Sequence, residues 1–294
     1  MLGSALVPCL EPDHIVKGVD LRDFDIRDGS ATERVLLDLR PDLVIHLAAY
    51  TDVDGCEEHP QRAEETNALG TWHMARACAQ IGAVLLYVST DYVFDGRLDR
   101  PYREDDCPHP INVYGQTKFR GEQHVQALVR RHFIVRSSWL YGPQGKNFVA
   151  TILRMAKGHE ELRVVSDRCG SPTYTHHLAG KLTQLLRVNE YGVYHITGAG
   201  ECSWLEFARA IVELADQRPV RVVPITSQEL GRRARRPANS LLENRRLLES
   251  HLGALPHWSE GLRQYLAEVR QAGGIGVQEL NPVTGLPQSE ATEI

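Results

Sequence analysis

The 294-residue sequence lacks the patterns that mark metal-dependent, disulfide-bonded or membrane-spanning proteins. Its six cysteines are scattered without a CxxC pair, and neither HExxH nor any other zinc-type spacing of His and Cys occurs. It also contains no run of about 20 apolar residues and no stretch that resembles a secretory signal. We therefore expect a reduced, cytoplasmic protein with no metal site and no membrane partner.

Positive charge is scarce as well. The chain has 33 Lys and Arg against 38 Asp and Glu, which gives a formal net charge of -5. Without a positive field, sequence-independent binding to the phosphates of nucleic acid is not expected. What the sequence does have is an average globular composition, with 42% hydrophobic and 24% charged residues. These values favour a folded protein that acts on small molecules.

Apolar runs alternate with amphipathic stretches of helix length, which is typical of a parallel sheet covered by helices on both faces. We predict an α/β fold with a Rossmann-like, doubly wound sheet in residues 1–148 and a smaller lobe in 149–270, some of whose elements return to the sheet. Residues 271–294 read as a disordered tail. Strands are predicted at 14–19, 42–48, 83–89, 133–137 and 162–165, and helices at 31–39, 60–81, 113–130 and 148–157.

The beginning of the chain departs from this fold class. In a doubly wound nucleotide-binding fold, the first strand leads into a glycine-rich turn that holds the cofactor pyrophosphate. Here Gly3 resembles the last glycine of such a turn, and the preceding strand is absent. We expect Met1 to be an internal methionine of a protein that begins roughly a dozen residues earlier. A truncated, inactive protein is the alternative, because loss of a central strand is costly against a stability of about 5–15 kcal/mol.

The strongest chemical signal is the pair Tyr114 and Lys118, which lie four residues apart and therefore on one face of a helix. A nearby positive charge lowers a tyrosine pKa toward the range useful for proton transfer, so Tyr114 is a candidate acid. The alternative is an ordinary surface pair. Ser89 and Thr90 end the predicted strand 83–89, where open α/β sheets place ligands, and the Thr90 hydroxyl could bind a substrate carbonyl there.

Further motifs occur in a fixed order along the chain. They are residues 47–51, Val53, Asp54, Asn67, 89–94, 110–118, 136–142, 170–173, Arg236, Pro237 and Ser240. Through them the sequence resembles, from residue 1 to about 270, the dTDP-4-dehydrorhamnose reductase family of extended short-chain dehydrogenase/reductases. The resemblance implies an NADH- or NADPH-dependent oxidoreductase that reduces the 4-keto group of a dTDP-linked 6-deoxyhexose. A homodimer is a further expectation of the family.

The resemblance also implies roles for individual residues. Thr90, Tyr114 and Lys118 match a catalytic triad in which Tyr114 protonates the ketone oxygen and Lys118 holds the ribose hydroxyls of the nicotinamide. The cofactor would lie beside Gly3, Asp20, Asp25, Ile26, Ala48, Ala49, Tyr50, Asn67, Tyr114 and Lys118. The substrate would lie beside Ser89, Thr90, Asp91, Tyr92, Trp139 and Arg236. For Trp139 a place in the core is the alternative.

The sequence differs from related proteins at two places, and these differences bear on the type of reaction and on the choice of cofactor. Asp91 and Tyr92 follow Thr90 where sugar-nucleotide dehydratases usually have an Asp-Glu pair, so simple reduction is favoured over dehydration. Asp20 follows the predicted strand 14–19, where an acidic residue accepts hydrogen bonds from the adenosine ribose and repels a 2′-phosphate, which favours NADH. In the basic run 232–236, we expect Arg236 to reach the substrate diphosphate.

One alternative comes from a different class of function. The same family contains the beta subunit of methionine adenosyltransferase, which resembles a reductase and serves a partner enzyme. That relative keeps much of the triad, so the presence of Thr90, Tyr114 and Lys118 does not distinguish a reductase from a regulatory subunit. Trp139 favours the sugar reductase.

Overall fold

The structure is a computed structural model, and it describes residues 1–215 and 220–272. Its strands are β1 (Leu43–His46), β2 (Val84–Thr90), β3 (His132–Ser137), β4 (Leu140–Tyr141), β5 (Glu161–Val165), β6 (Cys169–Gly170), β7 (Thr173–Tyr174), β8 (Gly192–His195), β9 (Cys202–Ser203) and β10 (Arg221–Ile225).

The helices are α1 (Leu2–Leu10), α2 (Gly29–Leu39), α3 (Val53–Glu58), α4 (Pro60–Ala63), α5 (Gly70–Ile81), α6 (Val113–Leu128), α7 (Phe148–Gly158), α8 (Thr175–Leu185), α9 (Trp204–Leu214), α10 (Ser227–Leu230), α11 (Arg245–Glu249) and α12 (Trp258–Gln271). A π-helical turn, Glu64–Leu69, joins α4 to α5, and a 3₁₀ turn, Asp91–Val93, follows β2. None of the helices in the described ranges is long and apolar enough to cross a membrane.

A four-stranded parallel sheet, in the order β1-β2-β3-β8, organises the first part of the chain. Because side chains alternate along a strand, β2 sends Leu85 and Tyr87 into one core and Leu86 into the other. Helices α2, α5 and α6 pack on the first core, and α1, α8 and α11 pack on the second. Helices therefore cover both faces of the sheet, which confirms the doubly wound α/β fold.

A separate hydrophobic core lies beyond this sheet. It is built from α7, α9, α12 and β5, with Tyr141 and Tyr174 of the short pair β4–β7. β5 pairs in parallel with β10, and β6 pairs antiparallel with β9. Helix α8 and strand β8 return from this part of the chain to the main sheet. The division at residue 148 stays a prediction. Gln271 closes α12, and the remainder of the predicted tail from residue 273 lies outside the described residues.

The predicted strand at 14–19 is wrong. These residues are irregular, and Ile15 and Val19 expose 105% and 44% of their surface. Val16 does pack against the core of α1 and α8. A strand needs a neighbour to hydrogen-bond with, and no described strand pairs with this segment. Residues 14–19 are therefore apolar enough for a strand, but they have no neighbouring strand among the described elements to pair with.

The other predicted elements form within about three residues of their expected bounds, with one local difference. The predicted helix 60–81 is interrupted by the π-helical turn Glu64–Leu69, which carries the buried Asn67. Such turns insert one extra residue into a helix and are frequent at functional sites. Here the turn brings Asn67 to the loop that follows β1, as described below.

A buried ion pair attaches α6 to the sheet. Glu122 of α6 accepts hydrogen bonds from Nε and Nη2 of Arg136 on β3, at 2.9 and 2.7 Å, and the two side chains are 0% and 3% exposed. Nη1 of Arg136 lies 3.4 Å from Nε2 of His195 on β8. Burial and the Arg136 charge lower the pKa of His195 to about 3, so its ring is neutral. The pair fixes the helix that carries Tyr114 and Lys118.

We expect the substitution Glu122→Ala to lower the free energy of unfolding by about 3–5 kcal/mol, because it leaves the Arg136 charge buried and unpaired. Glu249→Ala is the matched control, since the Arg245–Glu249 pair has a similar 2.8 Å contact but is exposed, and it should change stability by less than about 0.5 kcal/mol. Denaturant unfolding measures both. Equal losses in the two variants would contradict a special role for the buried pair.

Candidate active site

The carboxyl end of β2 and the turn after it form the centre of the site. The hydroxyl of Thr90 donates to Oδ1 of Asp91 at 2.9 Å and accepts from the backbone N–H of Tyr92 at 3.2 Å. Ser89 Oγ and Asp91 Oδ2 are buried, and neither has a hydrogen-bond partner among the described residues. Buried polar atoms without partners are uncommon, so these two are free to bind a ligand.

Helix α6 begins against this turn. Asn112 caps the helix by accepting from the N–H of Gly115 at 2.8 Å, and its Nδ2 donates to the carbonyl of Arg235 at 2.7 Å. A Cβ on Gly115 would lie 2.1 Å from the carbonyl oxygen of Tyr92, so only glycine permits this approach. As a result, the Tyr114 ring meets the edge of the Tyr92 ring at a centroid distance of 5.9 Å.

Tyr114 holds its proton more tightly than the sequence suggested. Burial and the charge of Asp91 raise its pKa above the usual 10, although a hydrogen bond with Thr90 opposes the shift. The expected lowering by the Lys118 charge is not found, although the Lys118 amine lies one helical turn away. It donates to the carbonyl of Val88 at 2.7 Å and lies 4.1 Å above the Tyr87 ring.

The amine of Lys118 is a weaker base than that of an exposed lysine. Burial lowers its pKa to about 7, and the nearby Glu122 carboxylate opposes that shift. The lysine side chain is 3% exposed. An amine with one carbonyl partner keeps further donors for another group, so Lys118 can bind hydroxyl groups of a ligand at this edge of the sheet.

The loop after β1 provides the neighbouring wall. Ala48 is exposed, and Ala49 and Tyr50 are half-buried. Asn67 fixes this loop: its Oδ1 accepts from the N–H of Tyr50 at 2.7 Å, and its Nδ2 donates to the Tyr50 carbonyl at 3.0 Å and to Thr117 at 3.1 Å. Asn67 therefore shapes the wall, with its amide already engaged by protein groups.

The other residues expected near the cofactor differ in placement. Gly3 lies in the first turn of α1, where a Cβ would be 3.5 Å from Leu47. Asp25 forms an exposed ion pair with Arg27 at 2.6 Å, whose hydrogen bond lowers the pKa of Asp25. Ile26 is 9% exposed and packs in the core of α2 and α5.

Asp20 has a different setting from the one expected. It follows the irregular segment 14–19 rather than a strand, and its carboxylate pairs with Arg22 at 2.6 Å in a largely exposed position. The hydrogen bonds from the side chain and backbone of Arg22 lower its pKa to about 2. Asp20 is thus fully ionised at neutral pH, beside a compensating positive charge.

A cavity of about 500 Å³ opens next to Tyr92. Two aromatic rings, Phe148 and Trp204, lie on its wall, with ring centroids 4.5 Å apart. Four guanidinium groups also reach it, from Arg168, Arg232, Arg235 and Arg236. Nε of Arg168 is buried without a hydrogen-bond partner in the described part of the chain. The cavity therefore suits an anionic ligand that carries a flat ring.

Phe148, Trp204 and Arg168 line the cavity but were not named individually as site residues from the sequence. Trp204 was detectable in principle, because tryptophan is rare and this one begins α9 directly after the capping residue Ser203. The position of Phe148 and Arg168 depends on how the second core packs, which no local pattern reveals.

Trp139 lies behind the cavity wall. Its ring stacks on Trp204 at a centroid distance of 3.5 Å and an interplanar angle of 10°, and a Cβ on Gly170 would be 2.4 Å from it. The Trp139 backbone has φ 48°, a left-handed conformation that is unfavourable for an aromatic residue. Trp139 packs on the second core, and its partner Trp204 lies on the cavity wall. A contact between Trp139 and the substrate stays a prediction.

Arg236 is the most firmly held of the cavity arginines. Its Nη2 and Nη1 donate to the carboxylate of Asp54, at 2.8 and 3.3 Å, and Nη1 also donates to the Ala234 carbonyl at 3.0 Å. The Asp54 hydrogen bond raises the pKa of Arg236 in spite of burial, and the Arg236 charge helps to keep the pKa of Asp54 below its usual value.

Other reactive groups supply no further centre. Within residues 1–215 and 220–272, no three His, Cys, Asp or Glu side chains are grouped so that they could hold a metal ion. All six cysteines are free thiols.

Comparison with known proteins places this geometry in a family. The model of the RmlD substrate binding domain matches residues 1–271. Spore coat polysaccharide biosynthesis protein SpsK of Bacillus subtilis is 43% identical over 246 residues, 83% of this chain and 86% of SpsK. The dTDP-4-dehydrorhamnose reductase of Mycolicibacterium smegmatis is 41% identical over 260 residues, 87% of this chain and 79% of that protein.

The solved structures give the same result. The crystal structure of dTDP-4-dehydrorhamnose reductase from Bacillus anthracis in complex with NADP superposes with a TM-score of 0.89 at 41% identity, covering 91% of this chain and 95% of that one. These matches confirm the family that the ordered motifs predicted. The chain belongs to the RmlD substrate binding domain family, the family of the dTDP-4-dehydrorhamnose reductases to which it is similar.

Proposed function

We propose that this chain is an NAD(P)H-dependent reductase that converts the 4-keto group of dTDP-4-dehydro-6-deoxy-L-mannose to the alcohol, giving dTDP-L-rhamnose. The observation that carries the proposal is the convergence of Thr90, Tyr114 and Lys118 at the carboxyl end of β2, beside a cavity with four arginines and two aromatic rings. The family relatives named dTDP-4-dehydrorhamnose reductase support the same substrate.

The cavity chemistry fits the two ends of a dTDP-sugar. Planar guanidinium groups bind phosphate oxygens with paired hydrogen bonds, and Arg168 and Arg236 can do so here. The rings of Phe148 and Trp204 suit a pyrimidine base. The free oxygens Ser89 Oγ and Asp91 Oδ2 lie at the catalytic end, where they can bind sugar hydroxyls.

The protonation states suit reduction of a ketone. Because burial keeps the phenol of Tyr114 protonated at neutral pH, it can donate that proton to the ketone oxygen as charge develops there. Thr90 can bind the same oxygen when its one hydroxyl proton turns from Asp91 Oδ1 to the ketone, while the N–H of Tyr92 still donates to Thr90 Oγ1. Lys118 lies one helical turn from Tyr114 and has donors for ribose hydroxyls.

A nicotinamide cofactor fits the wall formed by Ala48, Ala49 and Tyr50, where Ala48 is exposed and Lys118 has further donors. When bound, the reduced nicotinamide supplies the hydride. Asp25 and Ile26 would border the adenine, and Gly3 would lie near the phosphates. The residues of this chain supply the proton, the orientation of the ketone and the exclusion of water.

Two alternatives are less well supported. Dehydration needs an additional base after Thr90, and Asp91 is followed by Tyr92 instead of glutamate. The names of the relatives described above give no support to a regulatory subunit without turnover, since they are a polysaccharide biosynthesis protein and dTDP-4-dehydrorhamnose reductases. The homodimer and the cytoplasmic location implied by the family stay predictions.

The function is tested by incubating the purified chain with dTDP-4-keto-6-deoxyhexose and NADH or NADPH. We expect loss of the reduced-nicotinamide absorbance, with formation of a dTDP-6-deoxyhexose that carries a new hydroxyl group. Conversion of dTDP-glucose without net cofactor oxidation would instead indicate a dehydratase. Absence of turnover together with co-purification of an unrelated enzyme would favour the regulatory alternative.

The substitution Tyr114→Phe should lower kcat by about 10²–10⁴-fold, because it removes the proton donor and leaves the ring packing on Tyr92 intact. Steady-state kinetics with saturating cofactor measures the effect. Tyr191→Phe is the control, since its hydroxyl contacts only the exposed Asn189. A Tyr114→Phe enzyme with nearly wild-type kcat would show that another group donates the proton.

We propose that the chain uses either cofactor and that Asp20 makes NADH the preferred one, by repelling a 2′-phosphate. The substitution Asp20→Asn should lower the ratio of kcat/KM for NADH to kcat/KM for NADPH by about tenfold. Asp38→Asn removes an exposed carboxylate of α2 and should leave the ratio unchanged. A wild-type ratio below one would refute the preference.

Asp91 should make stability depend on pH. Burial raises its pKa from 3.8 to about 7, against the hydrogen bonds of Ser240 and Thr90. The folded state therefore favours the protonated form, whose contribution is complete below about pH 4 and is lost as pH rises through 7. Relative to Asp91→Asn, the wild type should lose about 1–4 kcal/mol of unfolding free energy over that range, at about 1.4 kcal/mol per pKa unit.

Denaturant unfolding of both proteins at several pH values measures this difference, and the titration of groups common to both cancels. A difference between wild type and Asp91→Asn that stays constant from pH 4 to 7 would contradict the raised pKa.

A further inference from the structure

Two of the four arginines that line the cavity, Arg232 and Arg236, contact the carboxylate of Asp54, which is not part of the lining. Residues 232–236, here called the arginine loop, follow α10 and line the cavity through Arg232, Arg235 and Arg236. Asp54 lies on α3, just after the loop that follows β1, and contacts the arginine loop at Ala234, Arg236 and Arg232. We propose that Asp54 is a positioning residue that sets the affinity for the substrate diphosphate by fixing the arginine loop.

The contacts of Asp54 include both backbone and side chains. Oδ1 accepts from the backbone N–H of Ala234 at 2.9 Å and from Nη1 of Arg236 at 3.3 Å. Oδ2 accepts from Nη2 of Arg236 at 2.8 Å and lies 3.8 Å from Nη1 of Arg232. One carboxylate thus fixes the backbone at the middle of the loop and the direction of two cavity arginines.

The geometry leaves Arg236 available to a ligand. A guanidinium group has five N–H donors, and Arg236 uses those of Nη1 and one of Nη2 on Asp54 and on the Ala234 carbonyl. The Nε donor and the second Nη2 donor remain. Arg236 also interacts with the phenol of Tyr92, which links it to the turn that carries Thr90. Asp54 therefore orients a cation that lines the cavity and keeps donors outside its contacts with Asp54 and Ala234.

A neighbouring pair on the same helix shows what a simple surface contact looks like. Glu58 of α3 contacts Arg233 at 3.1 Å, but the side chains are 45% and 63% exposed and Arg233 does not line the cavity. The Asp54–Arg236 pair is 24% and 25% exposed. Partly desolvated, hydrogen-bonded pairs orient side chains far better than exposed ones do. Asp54 and Glu58 thus provide a matched comparison.

A second contact supports the loop from α6. Asn112, which caps the helix of Tyr114, donates to the carbonyl of Arg235 at 2.7 Å. The arginine loop is therefore held by two elements of the sheet domain, α3 through Asp54 and α6 through Asn112. Of these two residues, Asp54 is the one that contacts guanidinium groups, so its charge should affect diphosphate binding with little effect on proton transfer.

The test uses Asp54→Asn, which keeps the shape of the side chain and an oxygen for the Ala234 N–H but removes the charge. The inference rests on the proposed dTDP-sugar substrate, so binding of dTDP to the wild-type chain is measured first by calorimetry. We expect Asp54→Asn to raise the Kd for dTDP and the KM for the keto sugar by about tenfold, while kcat changes less than about threefold. The Kd for NADPH should not change.

Glu58→Gln is the control and should leave all of these constants at wild-type values. A second experiment separates positioning from misfolding. In an Arg236→Met background, Asp54→Asn should raise the Kd for dTDP by less than about twofold, because its effect passes mainly through Arg236.

The outcomes are distinct. A wild-type chain that binds no dTDP would refute the proposed substrate and this inference with it. A wild-type chain that binds dTDP as tightly as Asp54→Asn does would overturn the inference and leave the proposed function standing. Equal effects of Asp54→Asn with and without Arg236 would also overturn it, since the effect would then be general.

Discussion

The close contact between Gly115 and the carbonyl of Tyr92 is the constraint on which the site depends. It lets the first turn of α6 press against the turn that follows β2, which brings the Tyr114 phenol close to the Thr90 hydroxyl. Two devices keep the helix there. Asn112 caps its first turn, and the buried pair of Glu122 and Arg136 ties its middle to β3. The catalytic geometry is therefore a consequence of helix packing on a parallel sheet.

Burial then sets the chemistry of the side chains brought together. Charged forms are disfavoured in a dry environment, so Tyr114 and Asp91 hold their protons more tightly and Lys118 holds its proton less tightly. For a reductase this is useful, because a phenol that keeps its proton until the ketone oxygen gains charge is a ready acid. The motif of tyrosine and lysine indicated which residues take part, but only packing determines the direction of their pKa shifts.

Most of the fold and part of the site were predictable from sequence. The alternation of apolar runs predicted the sheet and its helices because periodicity is a local property, and the ends of β2 and α6 located Thr90 and Tyr114. The segment 14–19 was mispredicted since its apolar residues suit a strand, whereas a strand also needs a neighbour that the sequence pattern cannot display. Phe148, Trp204 and Arg168 meet at the cavity only through the second core, so no spacing along the chain reveals them.

The position of Asp54 shows how this fold can connect the loop after β1 to the arginine loop through a single side chain. The loop after β1 forms one wall of the site, and α3 begins a few residues later. Because α3 begins there, its first-turn carboxylate reaches the arginine loop, although the two lie about 180 residues apart in sequence. A single charge can thus orient the groups that hold an anionic substrate without occupying their ligand-facing donors. The carboxylate is useful there because it is only partly exposed, since full exposure would reduce it to the weak contact that Glu58 makes with Arg233.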